Sequence, residues 1–155
     1  MELKTGSAES TLDDKGRVSI PVRFRDYFQG ELVITCGFEK CALIMTPAVW
    51  EQYERAFRNS EVLVHEERQI LEDKYLNQAQ MAELDKTGRI AIPPTIRKYA
   101  NLSRGDCMVI RSEGRLSIWN SAVWEAYLAE KDALARAAIN KLGTQDIFRA
   151  RQGTI

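Results

Sequence analysis

The stretch LDDKGRVSIPVRFRDYF at residues 12–28 is answered by LDKTGRIAIPPTIRKYA at residues 84–100. Slid by 72 positions, eight of the seventeen residues are identical: Leu12/Leu84, Asp13/Asp85, Gly16/Gly88, Arg17/Arg89, Ile20/Ile92, Pro21/Pro93, Arg25/Arg97 and Tyr27/Tyr99. Farther along, Ala48-Val49-Trp50-Glu51-Gln52-Tyr53 matches Ala122-Val123-Trp124-Glu125-Ala126-Tyr127 at an offset of 74. Two similar units in the same order mark a tandem duplication. Each unit opens with Asp at the first and Gly at the fourth place of a β-turn, the residues a type I turn favours there. A short strand follows, in which Val18 and Ile20, or Ile90 and Ile92, alternate with Arg17 or Arg89. A period of two puts the aliphatic side chains on one face and the arginines on the other. Pro21 and Pro93 then end the strand and open a short helix, which Tyr27 and Tyr99 close.

Hairpin patterns come next. Leu32–Thr35 and Cys41–Met45 flank a turn at Gly37; Cys107–Arg111 and Leu116–Trp119 flank one at Gly114. Thr46 and Asn120 are good N-cap residues before helices that carry Trp50/Tyr53 and Trp124/Tyr127 on one face, where core packing is their expected role. A connecting helix is predicted over 61–79, and the stretch 51–83 has a net charge of −4. The second unit's helix is predicted to run on to about Leu142, with Gly143 as its stop and 143–155 as a flexible tail bearing Arg149 and Arg151.

The chain has 155 residues, 45% of them hydrophobic and 28% charged, which fits a single domain at 1–155 with a real core rather than a fibre or a disordered chain. Repeat one is placed at 5–60 and repeat two at 80–142. With 22 basic and 22 acidic residues the net charge is zero, which argues against a histone-like binder but not against a locally basic face. Three cysteines without a CxxC, and a single histidine, His65, argue against a disulfide framework and a metal site, and for buried thiols in a reducing compartment. Neither an apolar leader nor a membrane span is expected, and a cytoplasmic protein fits best. No enzymatic activity and no cofactor are expected. Asp13, Asp14 and Asp85 read as turn residues, and GxSxG, a Walker loop and a histidine partner for Ser or Cys are all lacking.

Units of about 50 residues with such short strands cannot bury their apolar faces alone. Pairing the two copies about an approximate two-fold axis is the natural outcome. Residues 84–100 sum to +3 and residues 12–28 to +1, so the repeat cores are basic and the connecting segment acidic. That division suits phosphate binding on one side.

The paired Asp13-x-x-x-Arg17 and Asp85-x-x-x-Arg89, the LVITCGFEKCALI hairpin and the two W-E-x-Y helices resemble the MraZ family of bacterial transcriptional regulators over roughly residues 5–142. The resemblance implies an α+β fold, the AbrB-like double-split, swapped-hairpin β-barrel, built from two tandem repeats in one chain with flanking helices. It also implies a ligand: repeated boxes of double-stranded promoter DNA, upstream of a division and cell-wall gene cluster. Homo-oligomers, including rings, and a place at the nucleoid are implied likewise; a membrane or a small-molecule substrate is not. One departure stands out. Where the family often has Gly-Ala before its second motif, this chain has Tyr75-Leu76-Asn77-Gln78-Ala79-Gln80.

Arginine suits base or phosphate recognition because its planar fork donates two bonds at once. Arg17 and Arg89 are the expected DNA contacts, reaching successive grooves, with Lys15 and Lys86 as supporting charges. Arg25 and Arg97 are expected as outer phosphate contacts or as supports. Asp13, Gly16, Asp85 and Gly88 order the turns. Two alternatives stand beside this: the arginines clamp only their own aspartates, or the barrel is a protein-binding module such as an antitoxin.

Overall fold

A computed structural model of the chain describes residues 3–149. The chain divides into two compact units, one ending at Ser121 and one beginning at Ala122. The first holds eight strands in one antiparallel sheet. In chain order these are β1 (Gly6–Leu12), β2 (Arg17–Ser19), β3 (Leu32–Cys36), β4 (Ala42–Met45), β5 (Gln80–Ala82), β6 (Arg89–Ala91), β7 (Gly105–Ser112) and β8 (Arg115–Asn120). Their order in the sheet is β5-β3-β4-β8-β7-β1-β2-β6, which curls into a nearly closed barrel.

That order is an exchange between repeats. Strand β1 of the first repeat pairs along its whole length with β7 of the second, from Gly6↔Arg111 to Leu12↔Gly105. Reciprocally, β5 of the second repeat pairs with β3 of the first. The hairpins meet at β4 and β8, and the motif strands meet at β2 and β6. In the latter pair Arg17 lies opposite Ala91, Val18 opposite Ile90 and Ser19 opposite Arg89, so the two-fold axis passes through the Val18–Ile90 pair. This is the double-split barrel, and the swap is what gives each short repeat a partner for its apolar face.

The alternation read from the sequence holds. Val18, Ile20, Ile90 and Ile92 are all buried in one core with Phe28, Ile34, Ile44, Ile96, Val109, Leu116 and Ile118. Strands β3 and β4 are buried on both faces, because helix α2 (Pro47–Arg58) packs on their outer side. Thr46 caps α2, accepting from the Val49 amide, as its place in the sequence suggests. Trp50, Tyr53, Phe57, Phe38 and Tyr75 form a ring cluster there, with Tyr53 and Phe57 edge to face at 5.0 Å. The three cysteines are buried free thiols. Burial pushes Cys41 up to about 12 and Cys107 up to about 11, so both stay protonated.

Several elements differ from expectation. Strand β1 was not marked in the sequence pattern, because its inward positions are Gly6, Ala8 and Ser10 rather than large aliphatics. The short helix α1 (Val22–Arg25) ends before Tyr27, whereas α4 (Pro94–Tyr99) does run to Tyr99. Residues 61–79 hold only a short helix α3 (His65–Leu71) and a π-helical turn (Glu72–Leu76), closed by an Asn77 amide bond to the Glu72 carbonyl. In the second unit the long helix breaks at Lys131 into α5 (Ser121–Glu130) and α6 (Asp132–Leu142). Gly143, at φ 85°, ends α6, and the first residues of the expected tail form helix α7 (Thr144–Arg149); Arg151 lies outside the described residues. Within this unit Trp124 and Tyr127 stack at 5.8 Å, matching Trp50 and Tyr53 at 5.7 Å in the first. Among the described residues no helix is long and apolar enough to cross a membrane.

Truncation at the axis tests the shared core. Ile90→Ala is expected to remove about 2–5 kcal/mol of stability, the usual range for a fully buried Ile. Urea unfolding followed by tyrosine fluorescence and by circular dichroism should still give one coincident transition, since both repeats contribute to the same strand pair.

Candidate nucleic-acid interface

Both Asp-x-x-x-Arg turns are closed by the same set of bonds. The Asp13 amide donates to the Arg17 carbonyl at 2.9 Å and the Gly16 amide to the Asp13 carbonyl at 3.1 Å; in the second copy the lengths are 2.8 and 3.0 Å. Asp13 Oδ1 accepts from the amides of Lys15 and Arg17, each at 2.9 Å, while Oδ2 accepts from Arg17 Nε at 2.8 Å. Asp85 repeats this with the amides of Thr87 and Arg89 and with Arg89 Nε at 3.0 Å. Thr87 adds a hydroxyl bond to Asp85 Oδ1 that Lys15 cannot make. The spacing of three residues between Asp and Arg is therefore a local device. It lets one carboxylate cap the turn and hold the guanidinium by its Nε edge, leaving the Nη nitrogens for other partners.

The two turns are locked to each other. The Ile20 amide donates to the Gly88 carbonyl at 2.9 Å and the Ile92 amide to the Gly16 carbonyl at 2.8 Å, one bond in each direction across the axis. Opposed residues of an antiparallel pair share a face. Arg17, Ser19, Arg89 and Ala91 thus form the outer face of the β2–β6 ribbon, with Ser19 and Ala91 exposed between the arginines. The arginine side chains are 31% and 33% exposed, and Arg89 Nη1 also approaches Asp13 Oδ2 at 3.9 Å. Lys15 and Lys86 are exposed at the turn tips, beside Asp14 and Thr87 respectively. Residues 13–17 are neutral and residues 85–89 carry +1, so the second turn is the more basic.

Arg25 and Arg97 sit behind this face rather than on it. Both turn glycines adopt left-handed backbone, Gly16 at φ +79° and Gly88 at φ +80°. An added Cβ would lie 2.7 Å from the Arg97 guanidinium carbon at Gly16, and would clash with the Arg25 guanidinium at Gly88. Each arginine reaches under the other repeat's turn. Arg25 Nε also donates to the Ile20 carbonyl at 2.7 Å. Of the two roles read from the sequence, this geometry favours the supporting one. The period of two in the sequence puts Ser19 and Ala91 on the arginines' side, but it gives them no part in the site.

The amide bonds hold both aspartates in the ionised form. Asp85 lies well below the ordinary carboxylate value of 3.8, chiefly through the Arg89 amide and then the Thr87 hydroxyl and amide; Asp13 is lowered chiefly by the Arg17 amide. The resulting surface has two fixed guanidinium groups on a two-stranded ribbon, each clamped by a charged carboxylate. Among the described residues there is no group of acidic, Cys and His side chains that could hold a metal.

The family model described as "MraZ protein, putative antitoxin-like" matches this chain twice, at residues 3–73 and 75–145. The curated proteins it resembles include the transcriptional regulator MraZ of Roseiflexus castenholzii, 38% identical over 88% of this chain and 94% of that protein. Those of Treponema pallidum strain Nichols and Frankia alni are 34% and 37% identical, covering 89% and 82% of this chain and 93% and 87% of theirs.

Two measurements check the turn. A carboxylate held below its unfolded value adds stability that is complete above about pH 4 and is lost as pH falls below it. The urea midpoint should therefore fall as pH is lowered from about 4 toward 2, and Asp85→Asn should flatten that fall. Gly88→Ala should cost about 1–2 kcal/mol from left-handed strain alone, read from the same unfolding curves.

Proposed function

Because the chain belongs to the MraZ family, we propose that it is a transcriptional regulator whose β2–β6 ribbon reads double-stranded DNA. The finer reading is that it binds repeated boxes in a promoter, that of its own division and cell-wall gene cluster, as a homo-oligomer at the nucleoid. The carrying observation is the pair of Nε-clamped guanidinium groups on one exposed ribbon face. Held by one edge, each arginine offers its remaining N–H groups as a fork that matches guanine O6/N7 or a phosphate. Fixing the fork beforehand spares the rotamer entropy that a free arginine loses on binding.

The register also sets the reach. Arg17 and Arg89 are diagonal neighbours on paired strands, about 7–8 Å apart at the backbone. A major groove about 12 Å wide admits a two-stranded ribbon. One chain thus addresses a single groove with both arginines, not successive grooves as the separate motifs suggest. Ser19 and Ala91, small and central, let the ribbon approach the base edges. Lys15 and Lys86 at the tips face the flanking phosphates as point charges.

Magnitude argues for several copies acting together. A good arginine–guanine pair contributes about 1–3 kcal/mol of discrimination. Two such pairs give about 2–6 kcal/mol, toward the low end of the roughly 4–10 kcal/mol that separates specific from non-specific binding. Linking chains on adjacent boxes raises the effective concentration and supplies the difference.

The test is a gel shift and footprint on the DNA upstream of the protein's own gene, at two salt concentrations. The native chain should protect several evenly spaced boxes and lose them at higher salt. Arg17→Ala and Arg89→Ala should each weaken the shift by about tenfold to a hundredfold while the melting temperature stays near native. Native-strength binding by both variants overturns the assignment. A small protein retained on the purified chain, with no shift, would favour the antitoxin reading instead.

A further inference from the structure

Among the described residues, Arg111 is the one charged side chain that is buried, at 8% exposure. It lies in β7, opposite Gly6 of β1 and Leu116 of β8. Its surroundings do little for its charge. Nη1 donates to the Arg23 carbonyl at a long 3.4 Å, and the guanidinium carbon stands 5.9 Å from the centre of the Phe28 ring. Among the described residues no carboxylate comes within ion-pair distance of it. A buried cation without a counter-charge is expensive, and such groups ordinarily find an anion.

Arg111 lines a cavity of about 610 Å³, within the range of small-molecule sites. Lys4 and Arg115 line it too, and neither is ion-paired among the described residues. Glu113 is the single acid there, against three cations. The remaining wall mixes the Tyr27 ring, Val49 and the Gln52 amide. The cavity is remote from the arginine ribbon. Strand β1 runs from Gly6, beside Arg111, to Leu12, just before the first turn, a span of about 20 Å at ordinary strand rise.

We propose that this cavity binds a small organic phosphate monoester. The dianion matches an excess of two positive charges better than a carboxylate does, and three phosphate oxygens can engage the Arg111 fork, Arg115 and Lys4 together. The organic part packs on Tyr27 and Val49, with Gln52 as a polar contact. The buried arginine is found in the second repeat alone: registered through the exchanged strands, Arg111 stands where the first repeat has Cys36.

Phenyl phosphate, inorganic phosphate, benzoate and benzyl alcohol are the probes, titrated into the full chain by calorimetry. Phenyl phosphate should bind at least tenfold more tightly than benzoate or inorganic phosphate, and benzyl alcohol should not bind. Arg111→Met should abolish binding. Lys4→Ala and Arg115→Ala, both at exposed positions, should each weaken it about tenfold with melting temperature unchanged, so the outcome does not depend on how well the Arg111 variant folds. Arg17→Ala should bind phenyl phosphate normally, which separates this site from the proposed DNA face. Absence of phosphate-dependent binding overturns the proposal, as does binding that survives both Lys4→Ala and Arg115→Ala. A change in native mass on Arg111→Met, with no phosphate-dependent binding by the native chain, also overturns it and makes the cavity a contact between copies.

Discussion

Neither repeat can finish its own sheet. Strand β1 carries Gly6, Ala8 and Ser10 on its inward side and buries fully only at Leu12. Such a strand gains little from the hydrophobic effect and depends on backbone pairing, which β7 of the other repeat supplies over seven residues. The same exchange gives β3 an edge partner in β5. With the strands traded, the aliphatic faces of both copies close on a single core, and residues far apart in sequence become obligatory neighbours. Val18 and Ile90 at the axis are the centre of that arrangement, each fully buried against the other's strand.

The candidate site inherits its rigidity from this exchange. A turn of four residues held only by its own aspartate would still sway on its strand. Here each turn's glycine carbonyl accepts an amide from the opposite repeat, and each turn rests on the opposite repeat's arginine. The absence of a Cβ at Gly16 and Gly88 serves two ends at once: left-handed backbone, and room for Arg97 and Arg25 beneath it. Arginine recognition gains most when the fork is fixed before contact. The barrel provides that fixing without a long loop or a helix.

Much of this is visible in the sequence, and the boundary of what is visible has physical causes. The duplication, the turn residues, the alternation of Val18/Ile20 with Arg17 and the two hairpins all rest on local rules, and the structure keeps each of them. The orienting role of Asp13 and Asp85 follows from their spacing to the arginines. Strand β1 was hidden because small polar residues carry no period-two hydrophobic signal. The adjacency of the two arginines was hidden because strand register is a long-range property: pairing β2 with β6, rather than leaving each turn on its own hairpin, places them on one patch. The single helix read over 61–79 failed at the π-helical turn, where an i→i+5 bond leaves no mark in composition.

The places where the copies diverge are as informative as those where they agree. Symmetric positions hold the barrel and the ribbon: paired glycines, paired aspartates, paired arginines beneath the turns. Asymmetric positions are free of that duty. Thr87 strengthens one aspartate clamp where Lys15 adds charge at the other, so the two halves of the ribbon differ in both stiffness and potential. On the proposed reading, unequal halves would give the ribbon a direction on DNA that a perfect two-fold lacks. Arg111 in place of Cys36 is a larger divergence, a buried cation where the first repeat keeps a buried thiol. The equivalent strand of the first repeat is buried along its length with no charge. The phosphate proposed for the cavity that Arg111 lines would offset the arginine's charge.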